Sequence, residues 1–319
     1  DHRDLHSFPT RRSSDLNFLF AKYYRKRILR IGINNIFVQR QESMIAISGA
    51  KMNICYSFAG LDNPLSISKY SYAGLLAKWF EGLFFRKIGY AGTILARGDD
   101  DAIRDMLSRS NGTMINHTII KFPTRIRTAI FKPMDRNFAR AGLDLPREGT
   151  YVITTGRLAW LKGWKFMIDS FALFIEQVPD ARFIMVGEGE DYDKIITYVS
   201  ERNLTDKVFL MGKKDREEIA LYLNASDLYI MGSYKEGWPT ALMEAVACGL
   251  PACATEFSSV GDIILEGING FIDRERNETV FASNMVKALG FERPVRNGHV
   301  TRFSTENLKE DLLSYWKLT

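Results

Sequence analysis

Residues 233–255 read SYKEGWPTALMEAVACGLPACAT, and the order of their apolar runs and breakers decides the fold of this half of the chain. Just upstream, Asp227 to Met231 (DLYIM) is apolar and β-prone, as a buried strand is. After a short loop, Pro239 stands where a first helical residue belongs, because that position needs no N–H partner and proline has no N–H to offer. Gly249 follows the last helical residue, and Pro251 opens another strand. No Ser, Thr, Asp or Asn directly precedes Pro239, so the N–H groups near Thr240 and Ala241 still need an acceptor. A phosphate suits them. Glu236 in the loop and Glu244 in the second helical turn bring two carboxylates to one helix end, where they can accept hydrogen bonds from sugar hydroxyls. A helix dipole attracts acids to the same place, and the spacing alone does not choose between these readings.

Outward from this stretch the second half is regular. Runs YVITTG, RFIMVG, KVFLMG, DLYIM and PACAT alternate with helical patterns near 164–178, 191–202, 216–226, 239–248 and 259–265. Such alternation predicts an α/β fold with a doubly wound parallel sheet, whose ligands lie at the carboxyl ends of the strands. Trp164, Met167, Ile168, Phe171, Ile175 and Val178 recur as the buried stripe of the first of these helices. After YVITTG come Arg157 and Lys162, flanking a tight loop that enters that helix. Together they suit the two negative charges of a diphosphate, although lone cations in loops are usually only solvated. VGEGED (Val186 to Asp191) offers a glycine-rich turn at Gly187 where a ligand can approach the backbone.

The string EGWPTALMEAVACGLPACAT resembles the E-G-x-P-x-x-x-x-E-A-x-A-x-G-x-P-x-x-A-T signature of glycosyltransferase family 4, also called glycosyl transferases group 1. G-R-L-x-x-x-K-G from Gly156 to Gly163 is similar to that family's donor-phosphate motif, and INGFI (Ile268 to Ile272) to its N-G-x-L/F strand. The resemblance implies the GT-B fold of two Rossmann-like domains and retaining transfer from a nucleotide-sugar donor. It assigns Lys162 and Arg157 to the leaving diphosphate, with Gly156 beside them and the backbone of Gly237, Trp238, Pro239 and Thr240 opposite. Glu236 would contact the transferred sugar and Glu244 the ribose. Gly187 and Lys214 would lie near the nucleotide, Lys214 by its backbone at the base. Glu236, Arg157 and Lys162 are the implied catalytic group. No cofactor and no metal are expected, since the nucleotide sugar is a substrate whose phosphates are held by protein groups. FAGLDNP (Phe58 to Pro64) is similar to the family's H-G-x-x-x-P turn, but Ala59 replaces the histidine beside the reacting sugar. KFPTRIRTAIFKP (Lys121 to Pro133) resembles the interdomain segment, with Arg127 at its usual Asp.

A chain of 319 residues, 46% hydrophobic, can form two medium cores. Residues 17–150 carry 21 Lys and Arg against 10 Asp and Glu, a net of +11, whereas 151–319 carry 19 against 25, a net of −6. The basic first half suits an anionic partner, either a membrane surface met peripherally or a phosphate-linked acceptor. Cys55, Cys248 and Cys253 have no metal-ligand spacing and fit a reducing compartment. No run of 18 apolar residues spans a membrane. A cytoplasmic protein is expected, either free or peripheral on the inner face of a membrane, with a glycan or lipid-linked acceptor and no nucleic acid as partner.

Residues 1–16 fit none of this. HSFPTRRSSDL (His6 to Leu16) resembles the conceptual translation of a sequencing-library adapter, so the leader is expected to be non-native and the first domain to lack its beginning. The remaining division is 17–135 for the acceptor-side domain, 136–150 for a linker rich in Gly, Pro and charge, 151–303 for the donor domain, and 304–319 for a terminal helix that in GT-B proteins crosses back. AKYYRKRILR is a basic helical stretch, and strands are expected at NNIFVQR, MNICYSF, GTILAR and MINHTIIKF. Tyr72, Leu75, Leu76, Trp79, Phe80, Leu83 and Phe84 share a helical face that suits the core, or a membrane surface. A further helix is expected from Asp99 to Arg109. His117 and His299 fall in no motif and are read as structural. Two other functions fit the alternation: a nucleotide-sugar-binding protein without turnover, favoured by Ala59, and a dinucleotide-dependent oxidoreductase, disfavoured because no G-x-G-x-x-G follows a strand.

Overall fold

The computed structural model describes residues 13–32, 35–48, 52–58, 73–96, 100–114, 117, 119–257 and 259–316. Residues 1–12 of the leader, Tyr72, and Ala59 with the rest of its turn lie outside the described residues. The chain forms two compact units, one of Asp1–Pro123 with Glu310–Thr319 and one of Thr124–Lys309. Each is built on a parallel sheet, and the fold class is the α/β, two-domain GT-B type.

In the first unit, β1 (Asn35–Val38), β2 (Asn53–Phe58), β3 (Ala91–Ala96) and β4 (Ile119–Lys121) lie in sequence order, all parallel. Tyr56, Phe58, Phe84, Ile88 and Ile94 are buried in its core. The helix Ala73–Ile88 buries Phe84, Phe85 and Ile88 and packs Phe80 and Leu83 against the same core, but leaves Trp79 of the face read from spacing 62% exposed. A helix at Gln41–Ile47 was not expected. Its seven residues are too few to show a period, and Met44 to Ile47 are all buried. In the final helix, Leu308–Trp316, Trp316 is buried with Cys55, Leu95 and Phe122, its ring 6.3 Å from Phe37. Among the described residues no helix is long and apolar enough to cross a membrane.

The second unit holds β5 (Tyr151–Thr155), β6 (Arg182–Val186), β7 (Val208–Leu210), β8 (Leu228–Met231), β9 (Ala252–Thr255) and β10 (Gly270–Asp273). Their order across the sheet is β10-β9-β8-β5-β6-β7, all parallel. Alternate side chains divide between two cores: Tyr151, Ile153, Tyr229 and Met231 enter one, and Val152, Leu228 and Ile230 the other. Burial on both faces is what makes these strands read as continuous apolar runs. Helix Trp164–Phe174 is buried more widely than its expected stripe, because Phe166 meets Phe281 of helix Glu278–Ala288 at 5.1 Å between ring centroids. It stops at Phe174, so Ile175 and Val178 pack beyond its end. The expected helix at 259–265 is a single 3₁₀ turn, Val260–Asp262. The stretch read as a linker contains the helix Arg136–Ala141, capped by Asp135.

Winding reverses between β5 and β8, the central neighbours. Chain leaving their carboxyl ends therefore diverges to opposite sides and opens a crevice.

Candidate functional site

A cavity of about 500 Å³ opens at that reversal. Thr155, Gly156 and Arg157 from the end of β5, Ser233 and Glu236 beyond β8, and Pro239 and Thr240 at the start of the next helix are among its walls. Its volume falls in the ordinary range for small-molecule sites.

Glycines let the loops close on one another. Gly163 has φ of 67°, and a Cβ there would lie 1.7 Å from the carbonyl oxygen of Gly232. Gly187 has φ of 147°, and its missing Cβ would meet the carbonyl oxygen of Gly156 at 1.8 Å. The glycine at 187 thus permits two loops of the protein to touch, a different reason from the ligand approach read from sequence. The Leu158 amide donates to the Glu188 carbonyl at 2.9 Å, and the Asp191 amide to the Leu158 carbonyl at 3.0 Å. Trp164 Nε1 donates to the Asp191 carboxylate at 3.1 Å, and Lys194 Nζ lies 2.6 Å from its other oxygen. These bonds hold the Asp191 carboxyl below the usual range, Lys194 contributing most.

The loop after β8 is fastened from below. Arg276 donates from Nη2 to the Gly232 carbonyl at 2.6 Å and from Nη1 to the Ser233 carbonyl at 3.3 Å, while Thr255 Oγ1 also donates to Ser233 at 2.8 Å. The Arg276 guanidinium lies 3.5 Å from the ring centroid of Tyr234. Fixing these carbonyls aims the following residues at the cavity. Lys162 Nζ donates to Glu236 Oε1 at 2.7 Å, and Ser233 Oγ to the same oxygen at 2.6 Å. A lysine and a glutamate 74 positions apart thus meet in the cavity wall.

The helix Thr240–Ala247 starts one residue later than its sequence suggests, with Pro239 as its N-cap at φ −76° and no side-chain cap bond. Its amino end faces the cavity through Thr240 and Ala241. Trp238 also lines the cavity, its indole N–H donating to Met243 Sδ at 2.6 Å and its ring 6.4 Å from Phe303. Ser259 Oγ donates to the Gly237 carbonyl at 3.0 Å.

Of the sequence-derived residues, Gly156, Arg157, Lys162, Glu236, Trp238, Pro239 and Thr240 share this cavity. Arg157 reaches it from an exposed position, with Nε paired to Glu190 at 2.9 Å instead of to either Glu236 or Glu244. Lys214 pairs with Glu218 at 3.3 Å at the start of helix Arg216–Ala225 and does not line the cavity. Glu244 sits one turn into its helix, and burial pushes its carboxyl up from 4.5 to about 7, with the Arg216 charge pulling weakly the other way. The hydroxyl-bearing side chains of Thr155 and Tyr229 are both buried. His117 and His299 contact the Gly89 and Ile263 carbonyls, at 3.3 and 2.8 Å. Arg276 and Ser233 were missed by sequence reasoning: each is an ordinary polar residue until β8 and β10 are placed in the sheet.

The family described as glycosyl transferases group 1 has a model that matches residues 135–293, a span containing every residue of this cavity. This span belongs to glycosyl transferases group 1. Relatives of the group 1 span include N-acetyl-alpha-D-glucosaminyl L-malate synthase of Bacillus anthracis, 30% identical over 131 residues, 41% of this chain and 34% of that protein. D-inositol 3-phosphate glycosyltransferase of Mycobacterium leprae is 26% identical over 201 residues, 59% of this chain and 46% of that protein. The chain thus spans less than half the length of either relative. Among solved structures, Anabaena HepE in complex with UDP superposes with a TM-score of 0.73 at 16% identity, covering 96% of this chain and 82% of that one. Sucrose-phosphate synthase from Thermosynechococcus elongatus gives 0.70 at 18%, covering 98% and 80%. At such identities the likeness concerns the fold.

Proposed function

We propose that the protein is a retaining glycosyltransferase that moves a sugar from a nucleotide-sugar donor to a glycan or lipid-linked acceptor. The observation that carries this reading is the meeting of Lys162 and Glu236 in a cavity also lined by the amino end of helix Thr240–Ala247, which has no side-chain cap. That pairs a cation and free helical N–H groups, which suit a diphosphate, with a carboxylate, which suits sugar hydroxyls. HepE is described in complex with UDP, which supports a nucleoside diphosphate as the ligand here.

In the reaction, the bond from the sugar's anomeric carbon to the diphosphate breaks and a bond to the acceptor oxygen forms on the same face. The acceptor's proton passes to the departing phosphate oxygen. Lys162, Arg157 and the helix amides stabilise the charge that develops on the diphosphate, Glu236 orients the sugar, and Glu244 accepts from the ribose. Arg157 reaches this position by exchanging Glu190 for phosphate. Since protein groups hold the phosphates, the reaction proceeds without a metal ion, in the cytoplasm or at the inner face of a membrane. Turnover of nucleotide sugars by the purified chain with a chelator present tests this. Donor consumption that persists under chelation is the expected result, and complete dependence on added Mg²⁺ or Mn²⁺ overturns the assignment of the phosphate site.

Ala59 favours a second reading, a protein that binds nucleotide sugars without turnover. Tight donor binding with no transfer or hydrolysis distinguishes it.

A further inference from the structure

The second unit has a larger cavity, about 700 Å³, at the opposite pole of the same sheet. Thr150 just before β5, Asp180 before β6 and Asp227 before β8 line it, so it opens at the amino ends of the strands whose carboxyl ends form the first site. Four arginines line it, and two of them hold one inner carboxylate. Arg140, 2% exposed, donates from Nη2 to Asp227 Oδ2 at 2.7 Å, and Arg136 donates to Oδ1. The Tyr151 amide also donates to Oδ2, at 2.8 Å. Asp227 is thereby filled on both oxygens.

Arg293 joins this group without a carboxylate of its own. Its Nη1 donates to the Ser226 carbonyl, and its buried Nε has no hydrogen-bond partner. Burial lowers its affinity for a proton most, the Asp227 charge opposes this, and the charges of Arg136 and Arg140 act with burial. Arg140 and Arg293 against Asp227 leave an inner excess of one positive charge. Arg136 and Arg147 are exposed at the rim together with Asp135, Glu148 and Asp180, where water screens them. Leu289 and Phe291 form an apolar side beside the arginines.

A buried guanidinium with an unused N–H is costly unless a partner arrives, and arginine's planar fork matches phosphate oxygens. We infer that this cavity binds a phosphomonoester dianion, its phosphoryl group on Arg136 and Arg293 and its organic part against Leu289 and Phe291. This site is independent of the nucleotide-sugar reading, since no residue of the first cavity lines it.

Phenyl phosphate serves as the probe, titrated calorimetrically into the full chain, with inorganic phosphate for comparison. Phenyl phosphate is expected to bind, and more tightly than inorganic phosphate because of the apolar wall. Arg293→Gln should weaken it about tenfold or more, the effect of losing one charged hydrogen bond. Arg136→Gln, at a half-exposed side chain that the fold tolerates losing, should do the same, whereas Lys162→Ala should leave it within about twofold. Absence of binding to the wild-type chain at millimolar concentration overturns the inference. So does binding that Lys162→Ala abolishes, or binding that survives both arginine substitutions, either of which places the phosphate elsewhere.

Discussion

Lys162 is paired with Glu236 at 2.7 Å, so a diphosphate that takes the lysine must displace a carboxylate. Two substitutions should therefore move affinity for a nucleoside diphosphate in opposite directions. Lys162→Ala removes one charge-assisted hydrogen bond, about 1.5 to 3 kcal/mol, which is roughly 10- to 150-fold in Kd. Glu236→Gln removes the competitor. The pair is part-buried, Lys162 36% and Glu236 11% exposed, and solvent screening at the lysine end keeps it to about 1 kcal/mol, so its loss tightens the nucleoside diphosphate by about fivefold. For the intact nucleotide sugar, Glu236→Gln should instead weaken binding, because the sugar loses its carboxylate. Calorimetric titration of UDP and of a UDP-sugar into the wild-type, single and double variants measures all of these. Unchanged UDP affinity in Lys162→Ala, or equal weakening of UDP by both single substitutions, refutes the displacement argument.

Three further outcomes follow from the same site. Glu244 has its carboxyl raised to about 7, above the unfolded value of 4.5, so its stabilising contribution is complete below pH 4.5 and is lost as pH rises through 7. Urea unfolding at pH 5 and pH 8 should show Glu244→Gln flattening this decline, by at most about 3 kcal/mol, and a decline unaltered by the substitution speaks against the buried carboxyl. Gly163→Ala places a Cβ 1.7 Å from the Gly232 carbonyl at a φ of 67°, and should lower stability by about 2 to 5 kcal/mol in the same assay. Arg276→Met releases the Gly232 and Ser233 carbonyls and should weaken UDP-sugar binding about tenfold, with a fall in melting temperature of only a few degrees. A melting temperature that collapses, with affinity preserved, would make Arg276 a purely structural residue.

Much of the second unit was legible before any coordinates. Its strands are buried on both faces and its helices carry an apolar stripe, so each announces itself through its own residues. The bounds of β5, β6 and β8 match the apolar runs to within a residue or two. Reading failed where burial came from a distant partner. Charges near Arg140 looked like a solvated linker, yet that guanidinium is 2% exposed because Asp227, 87 positions away, receives it. Trp79 looked like core from its spacing and is exposed, since periodicity identifies a face but not what covers it.

The sequence alone determined the alternation of strands and helices, the proline entry and glycine exit of the helix at 240, and the residue types able to hold a diphosphate and a sugar. These are local properties, set by side-chain shape, backbone freedom and period within a few residues. Only the tertiary structure decided that Lys162 meets Glu236, that Arg157 is held by Glu190, that Arg276 props the loop between them, and that two arginines share one aspartate at the other pole. Those encounters depend on strand order across the sheet. The reversal between β5 and β8 brings together residues that no local pattern connects, and the loss of water around them gives their charges new partners.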